Sequence, residues 1–319
     1  MTNVGDNVST ENPCSPPAES TTPKNTPPAH LPVLLEESVH FLAPVDGETY
    51  VDGTLGLGGH SEKILQTCGP SGKVIGFEWD ANALALAQER LKPFGERFTG
   101  IHRSYTEIMK CLAEMHIPNV DGLLLDLGIS SLQLDTGSRG FSHQAEGPLD
   151  MRMDERSPLT AEYLINTYSK DELADIFYYL GEEKQARRIA SHVVAAREKK
   201  RIETTAELAG IVAAAIPKKF HPRKIHVATK VFQALRIAVN RELENLSEVL
   251  DSITEILKPG GRVCIISFHS LEDRLVKWKL RQNPLLRVLT PKPVTPGYEE
   301  IRKNPRARSA KLRAACMEG

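Results

Sequence analysis

Between residues 50 and 126 the apolar positions keep two alternating rhythms. Short apolar runs at 50–52, 73–78, 98–102 and 120–126 read as strands, and the stretches 61–67, 81–91 and 105–115 carry the spacing of amphipathic helices. An earlier stretch with Leu34, Leu35, Val39 and Leu42 is also helical and is expected against the sheet edge. Strands and helices alternating at this length predict a parallel, doubly wound α/β sheet of the Rossmann kind. After Asp126 the alternation stops. Residues 127–131 form a loop, 133–154 is rich in Gly, Ser and Asp, and the pattern then turns helical near 160–168, 170–180, 182–198 and 205–215. Ser169 with Glu172 and Thr204 with Glu207 are capping boxes, and Gly181 is expected as a C′ stop. One long helix is predicted over 228–257, with Val231, Leu235, Val239, Leu243, Leu246, Leu250, Ile253 and Leu257 on one side. Lys258-Pro259-Gly260-Gly261 ends it. The apolar run 262–268 resumes the sheet, followed by a helix at 271–281 and strands near 286–289 and 310–316.

This order implies three parts. Residues 1–29, rich in Pro, Ser, Thr and Asn, cannot bury enough surface to offset their ordering entropy and are expected to be a disordered tail. Residues 30–133 and 229–319 form the sheet domain, and 134–228 is an all-helical insertion after the fourth strand. A chain of 319 residues with net charge −1 is long enough for a large core, and as a whole it is neither a basic arm nor a disordered protein. Its five cysteines are scattered and show no C-x-x-C, which argues against a disulfide framework or zinc ribbon and fits a reducing cytosol. No apolar run approaches a membrane span, and the start lacks the apolar region of a signal peptide, so a soluble cytoplasmic protein is expected.

The chemistry centres on YVDGTLGLGGHS, residues 50–61. A strand ends in Asp52, a glycine-dense turn follows, and a helix starts at once. Glycines there permit positive φ and close backbone approach, and the helix start offers unpaired N–H groups, so this is a nucleotide-type cofactor site. A dinucleotide site needs G-x-G-x-x-G. From Gly56 the chain reads GLGGHS, with Ser61 in the third glycine position, and Asp52 would repel a pyrophosphate. S-adenosylmethionine has no phosphate and carries a sulfonium and an ammonium, which a carboxylate favours. Glu78 ends the next strand and is placed to accept from ribose hydroxyls. Ligands of open α/β sheets bind outside the carboxyl ends of the strands, where Asp52, Glu78, Asp126 and the loop 267–270 stand together. Asp126 can accept from an adenine amino group or from the reacting group.

Cations cluster in the insertion, among them Lys184, Arg187, Arg188, Lys218, Lys219, Arg223 and Lys224. A second run near the C-terminus includes Arg306 and Arg308. In a nearly neutral molecule this clustering suggests a polyanionic substrate, with arginine suited to bidentate phosphate contact. Few aromatics interleave, so no long stacking platform is indicated. No ligand cluster has zinc-type spacing; His221 and His226 would not share a helix face. A metal is therefore not expected. His60, at the start of the helix behind the glycine loop, is more interesting.

Several stretches together resemble one family, the bacterial 16S ribosomal RNA cytosine-N4 methyltransferases known as RsmH or MraW. They are HLPVLLEE (30–37), VDGTLGLGGHS (51–61), DGLLLDLGISSLQLD (121–135), RGFS (139–142), GPLDMRMD (147–154), VFQALRIAVNREL (231–243), SFHSLEDR (267–274) and NPRARSAKLRA (304–314). The resemblance implies a Rossmann-like class I methyltransferase sheet, S-adenosylmethionine as cofactor, and methylation of a cytidine in the decoding region of 16S rRNA within the small subunit. It also implies homodimers. The family's cofactor contacts fall on Gly58, Gly59, His60, an acid aligned with Glu78, an aromatic aligned with Tyr105, Asp126 and Gln133. Glu78 and Tyr105 stand where Asp and Phe are usual, and Val227 and Lys230 where Pro and Arg are expected. Asp126 is expected to accept the proton, since the (Asp/Asn/Ser)-Pro-Pro-aromatic loop of other amino-methylating enzymes is absent. Three rivals remain open: a nicotinamide dehydrogenase, which Asp52 and Ser61 oppose; a non-catalytic RNA-binding assembly factor; and a methyltransferase for DNA or a small molecule.

Overall fold

Leu123, Leu124 and Leu125 are fully buried, and they alternate between two hydrophobic cores. Leu123 and Leu125 face one layer and Leu124 the other, as do Val263 and Ile265 against Cys264 and Ile266. A continuous apolar run thus marks a strand covered on both faces. The computed structural model describes residues 1–2, 31–130, 133, 134, 136–222 and 225–319. The expected tail beyond its first two residues, and the candidate Arg223, lie outside the described residues.

Seven strands form one sheet: β1 (Thr49–Asp52), β2 (Lys73–Phe77), β3 (Phe98–Ile101), β4 (Val120–Asp126), β5 (Leu257–Ser267), β6 (Leu286–Val288) and β7 (Lys311–Met317), in the order β3-β2-β1-β4-β5-β7-β6. β1 to β5 are parallel, as the alternation requires. β7 slots between β5 and β6 antiparallel to both. Only the short helix Tyr298–Lys303 and a 3-10 turn lie between β6 and β7. The two form an adjacent antiparallel pair, the kind that needs no crossover helix. Helix Leu35–Leu42 lies over the middle of the sheet rather than at its edge: Arg262 donates to the Phe41 carbonyl, and the Cys264 thiol contacts the Ser38 carbonyl.

Between β4 and β5 the described chain adds no strand to the sheet. Helices Ala161–Thr167, Lys170–Asp175, Ala186–Arg197 and Thr205–Ala215 pack around Leu164, Leu173, Phe177, Ile189 and Leu208. Both capping boxes form. Gly181 is not a left-handed stop, since its φ is −99°; a π-helical turn, Ile176–Leu180, precedes it. A Cβ at Gly181 would meet the Lys230 and Phe177 carbonyls at 2.7 Å, so close backbone approach is what requires glycine there.

The long helix predicted over 228–257 is three helices, Thr229–Asn240, Glu242–Asp251 and Ile253–Ile256. Arg241 breaks it with φ 51°. Asn240 accepts from Met153 N and donates to the Met151 carbonyl, pinning the break to the loop before the insertion's first helix. The single apolar stripe consequently serves two cores: Val231, Leu235 and Val239 enter the insertion's cluster, whereas Leu246, Leu250, Ile253 and Leu257 enter the sheet's. The run Lys258–Gly261 that was expected to end a helix lies within β5. Among the described residues no helix is long and apolar enough to cross a membrane.

Candidate active site

The glycine loop is sewn to the carboxyl ends of the parallel strands. Gly53 N donates to the Leu124 carbonyl, Leu55 N to the Phe77 carbonyl, and Gly56 N to Glu78 Oε2 at 2.9 Å. Asp126 N donates to Thr54 Oγ1. These bonds hold the loop open over a cleft lined by Gly53, Gly56, Gly59, His60, Glu78, Tyr105, Asp126 and Gln133. A Cβ at Gly59 would lie 2.3 Å from Pro32 Cγ, so Pro32 and Val33 close one end and only glycine fits beneath them.

Two residues expected at the cofactor do not reach the cleft. Gly58 caps helix Gly59–Thr67 at φ 78° and faces Leu91 and Ala87 of the next helix, so its glycine serves backbone conformation and packing. Asp52 is 1% exposed and lies behind the wall. Ser61 Oγ donates to Asp52 Oδ2 at 2.7 Å, and Thr54 N to its Oδ1. Ser61, the residue that spoils the dinucleotide pattern, thus anchors the acid, and Asp52 acts on the cleft only through its field.

Glu78 does line the cleft. Its oxygens accept from Gly56 N and Asp80 N, and burial, opposed by these bonds, still raises its pKa to about 7. Burial likewise lifts Asp52 to about 6 against its bonds to Ser61 and Thr54. Asp126 is pushed well above the usual carboxylate range, first by burial and then by the charges of Asp52 and Glu272. Its Oδ1 is buried without a hydrogen-bond partner. His60 Nδ1 stands 3.7 Å from Asp126 Oδ2. The other ring nitrogen is 3.0 Å from the Val33 carbonyl, which can only accept, so Nε2 carries a proton and Nδ1 is the nitrogen that faces Asp126. Among the described residues no lysine or arginine pairs with Asp52, Glu78 or Asp126. A cleft walled by Glu78 and Asp126, with Asp52 buried behind and one Asp126 oxygen unpartnered, fits a cationic ligand with hydroxyls and amino groups, which is the chemistry of S-adenosylmethionine.

Gln133 donates to Asp80 Oδ2 at 3.2 Å rather than standing alone, and Arg139 donates to the same oxygen at 2.7 Å. Burial raises the Asp80 pKa, but the Arg139 and Gln133 bonds outweigh it and hold Asp80 below its ordinary value. Arg139 also donates to the Arg152 and Met153 carbonyls, and Arg152 clasps Asp150 with both ends of its guanidinium. The motifs RGFS and GPLDMRMD therefore form a brace that ties the chain between β4 and β5 to the cofactor cleft. Their role had no local signal, because Asp80 and Arg139 are 59 positions apart.

A second network missed by sequence reasoning lies under the Asp126 loop. Arg236 makes a bidentate pair with Glu242 at 2.8 Å, and Glu272 accepts from Phe268 N and contacts His269 Nε2 at 3.2 Å. Oxygen and nitrogen atoms of Glu242, His269 and Glu272 come within 4.8 Å of one another. The Arg236 guanidinium supplies the positive charge this trio needs.

Of the cations, Arg306 lines the cleft from the 3-10 turn Pro305–Ser309, with Arg308 exposed on the same turn. Lys311 and Arg313 from that run pair with Asp273. Lys218 and Lys219 are exposed on the turn Lys218–Phe220, whereas Lys200 and Arg201 are tied to Glu207 and Glu162. Lys230 donates to the Glu182 carbonyl, and Val227 is buried in the insertion.

The MraW methylase family model matches residues 28–317. Among curated proteins, the chain is 59% identical to Ribosomal RNA small subunit methyltransferase H of Desulfotalea psychrophila, over 90% of this chain and 97% of that protein. It is 49% identical to the protein of the same name from Trichlorobacter lovleyi, over 90% and 97% of the two chains. Against the one from Geobacter sulfurreducens the identity is 48%, over 90% and 98%. Family and cleft agree, and the chain belongs to the MraW methylase family, as an S-adenosylmethionine-dependent methyltransferase.

Proposed function

We propose that this enzyme methylates the exocyclic N4 of a cytidine in the decoding region of 16S ribosomal RNA, at the position usually counted as 1402, on the small ribosomal subunit. The observation that carries the reading is Asp126: a partly buried carboxylate at the end of β4, with one buried oxygen lacking any partner, in the cleft that fits the methyl donor. The names of the relatives support the RNA substrate.

When bound, S-adenosylmethionine supplies an electrophilic methyl group. Glu78 accepts from ribose hydroxyls, with Gly56 N and Asp80 N holding the carboxylate in place. Tyr105, 7% exposed and 6.0 Å from Trp79, forms an apolar wall that excludes water. The N4 amine is a poor nucleophile because its lone pair is delocalised into the ring. Asp126 Oδ1 accepts an N–H of that amine, favours a pyramidal nitrogen, and takes the proton as positive charge develops. Burial, then the charges of Asp52 and Glu272, push the Asp126 pKa up, and a cation beside it acts in the opposite direction, favouring the carboxylate that accepts the proton. Arg306 and Arg308, with Lys218, Lys219 and Arg223, hold the surrounding phosphates, and the expected insertion 134–228 presents the RNA. The base must leave its stack to reach the cleft.

The test supplies isotope-labelled methyl donor with small ribosomal subunits that lack the modification, then digests the RNA to nucleosides. Labelled N4-methylcytidine is expected. Label in another nucleoside would defeat the N4 assignment, and unlabelled RNA would defeat the catalytic reading.

A further inference from the structure

A second cavity opens beside the cofactor cleft, between the insertion and the sheet. The two share Ile129 and Arg306, so the Asp126–Ser130 loop is their common wall. Three rings, Phe141, His143 and Phe232, line the second cavity. His143 stacks on His226 at 4.5 Å and meets the edge of Phe232 at 5.7 Å. Gln233, half-buried, also lines it, and its amide makes no hydrogen bond among the described residues. Thr229 Oγ1 lies 3.3 Å from His143 Nε2, which fixes the ring's orientation. Burial, and then the neighbouring His226, lower the His143 pKa, which favours the uncharged ring.

We infer that this chamber, resting on the function proposed above, receives the extruded target pyrimidine: His143 stacks on the base and Gln233 reads its edge, with the N4 amine directed through the mouth shared at Ile129 and Arg306 toward Asp126. The chemistry matches a single flat ring with donors and acceptors on its rim. An unstacked base loses its neighbours' faces and regains one from an aromatic side chain. A primary amide can donate to the N3 and O2 acceptors of cytosine, which leaves the N4 amine to Asp126. Arg306 stands at the shared mouth, where the flanking phosphate would enter. The basic surface without interleaved aromatics is consistent with this arrangement: one base is gripped, and the rest of the RNA is held by its backbone.

The test uses the full chain, small subunits lacking the methyl group, and labelled donor. His143→Ala should lower kcat/KM for the subunits about tenfold or more while the Kd for S-adenosylmethionine stays within twofold. His143→Phe should recover most of that loss, which a merely structural histidine would not allow. Gln233→Ala should lower kcat/KM similarly without changing the melting temperature. As a second measurement, independent of variants, RNA carrying 5-iodocytidine at the methylated position should photo-cross-link to peptides spanning 139–146 or 229–236. Values of kcat/KM within twofold of wild type for both alanine variants, or cross-links confined to other peptides, would overturn the chamber's role. Wild-type enzyme that transfers no methyl to RNA would instead defeat the functional reading on which it rests.

Discussion

Two sets of buried acids meet around the cofactor cleft, and they differ in their partners. On the glycine-loop side, Asp52 and Glu78 accept hydrogen bonds from backbone or hydroxyl groups while Asp126 Oδ1 accepts none; the three pair with no arginine or lysine among the described residues, and burial raises all three pKa values. On the insertion side, Asp80 pairs with Arg139, Glu242 with Arg236, and Glu272 contacts His269. The paired acids hold the architecture. The unpaired ones carry a desolvation cost that only a cationic ligand can offset, and this is how a binding site differs from a brace built of the same side chains.

Replacing Asp126 breaks this comparison most directly. Asp126→Ala should cut the methyl-transfer rate about a thousandfold, ~4 kcal/mol in the barrier, while the melting temperature at neutral pH holds or rises because an unpaired buried acid is removed. Initial rates beside thermal melts check both halves, and turnover within tenfold of wild type would remove Asp126 from the mechanism.

The opposite behaviour is expected of the brace. Arg236→Ala leaves Glu242 buried without compensation and should destabilise the fold by about 3–5 kcal/mol in denaturant unfolding. Replacing the pair together, Arg236→Met with Glu242→Leu, should recover much of that stability. If the double variant is as unstable as the single, the pair is not acting as a compensated charge.

Glu78→Gln sharpens the contrast. Losing the charged acceptor should weaken S-adenosylmethionine binding about tenfold or more, measurable by calorimetry. It should also alter the pH dependence of the cofactor-free protein. The folded pKa of Glu78 is raised to about 7, so the folded state binds more protons than the unfolded state between the ordinary carboxylate range and pH 7. The stability this gives is complete below the unfolded pKa and is lost as pH rises through the folded one. Relative to Glu78→Gln, wild type should therefore lose stability from about pH 4.5 to about 7 and then level off. A flat difference across that window would show that Glu78 is hydrated in the folded state.

The smallest effect belongs to the surface. Arg308→Glu should weaken RNA binding several-fold and reduce the slope of log affinity against log salt by about one, leaving cofactor affinity unchanged. Arg308 is the cleaner position because Arg306 also lines the cofactor cleft. An unaltered salt slope would place Arg308 outside the RNA contact.

Much of this was legible from local pattern. Strand ends put Asp52, Glu78 and Asp126 at one rim because parallel neighbours share a direction, and the register of β1, β2 and β4 confirms it. The apolar stripe after residue 228 was read correctly as a stripe but wrongly as one helix. Hydrophobic spacing persists through Arg241, and only the Asn240 bonds to Met151 and Met153 reveal the break. Ser61 looked like a defect in a glycine pattern, and its hydroxyl proved to be the anchor of Asp52. Gly58, expected as a cofactor contact, also has a packing reason to be glycine, since a Cβ there would meet Leu91.

The sequence by itself determined the alternation that builds the sheet, the helical segment that interrupts it, and the acids that end the strands, because periodicity and turn chemistry act over a few neighbouring residues. Only the tertiary structure decided which acids find a cation, which side of each glycine meets another chain segment, and that the insertion leans on the cofactor cleft through Asp80 and Arg139. Those choices depend on partners dozens of residues away, and burial, which sets the energy of every charge here, is a property of the folded molecule rather than of any stretch of chain.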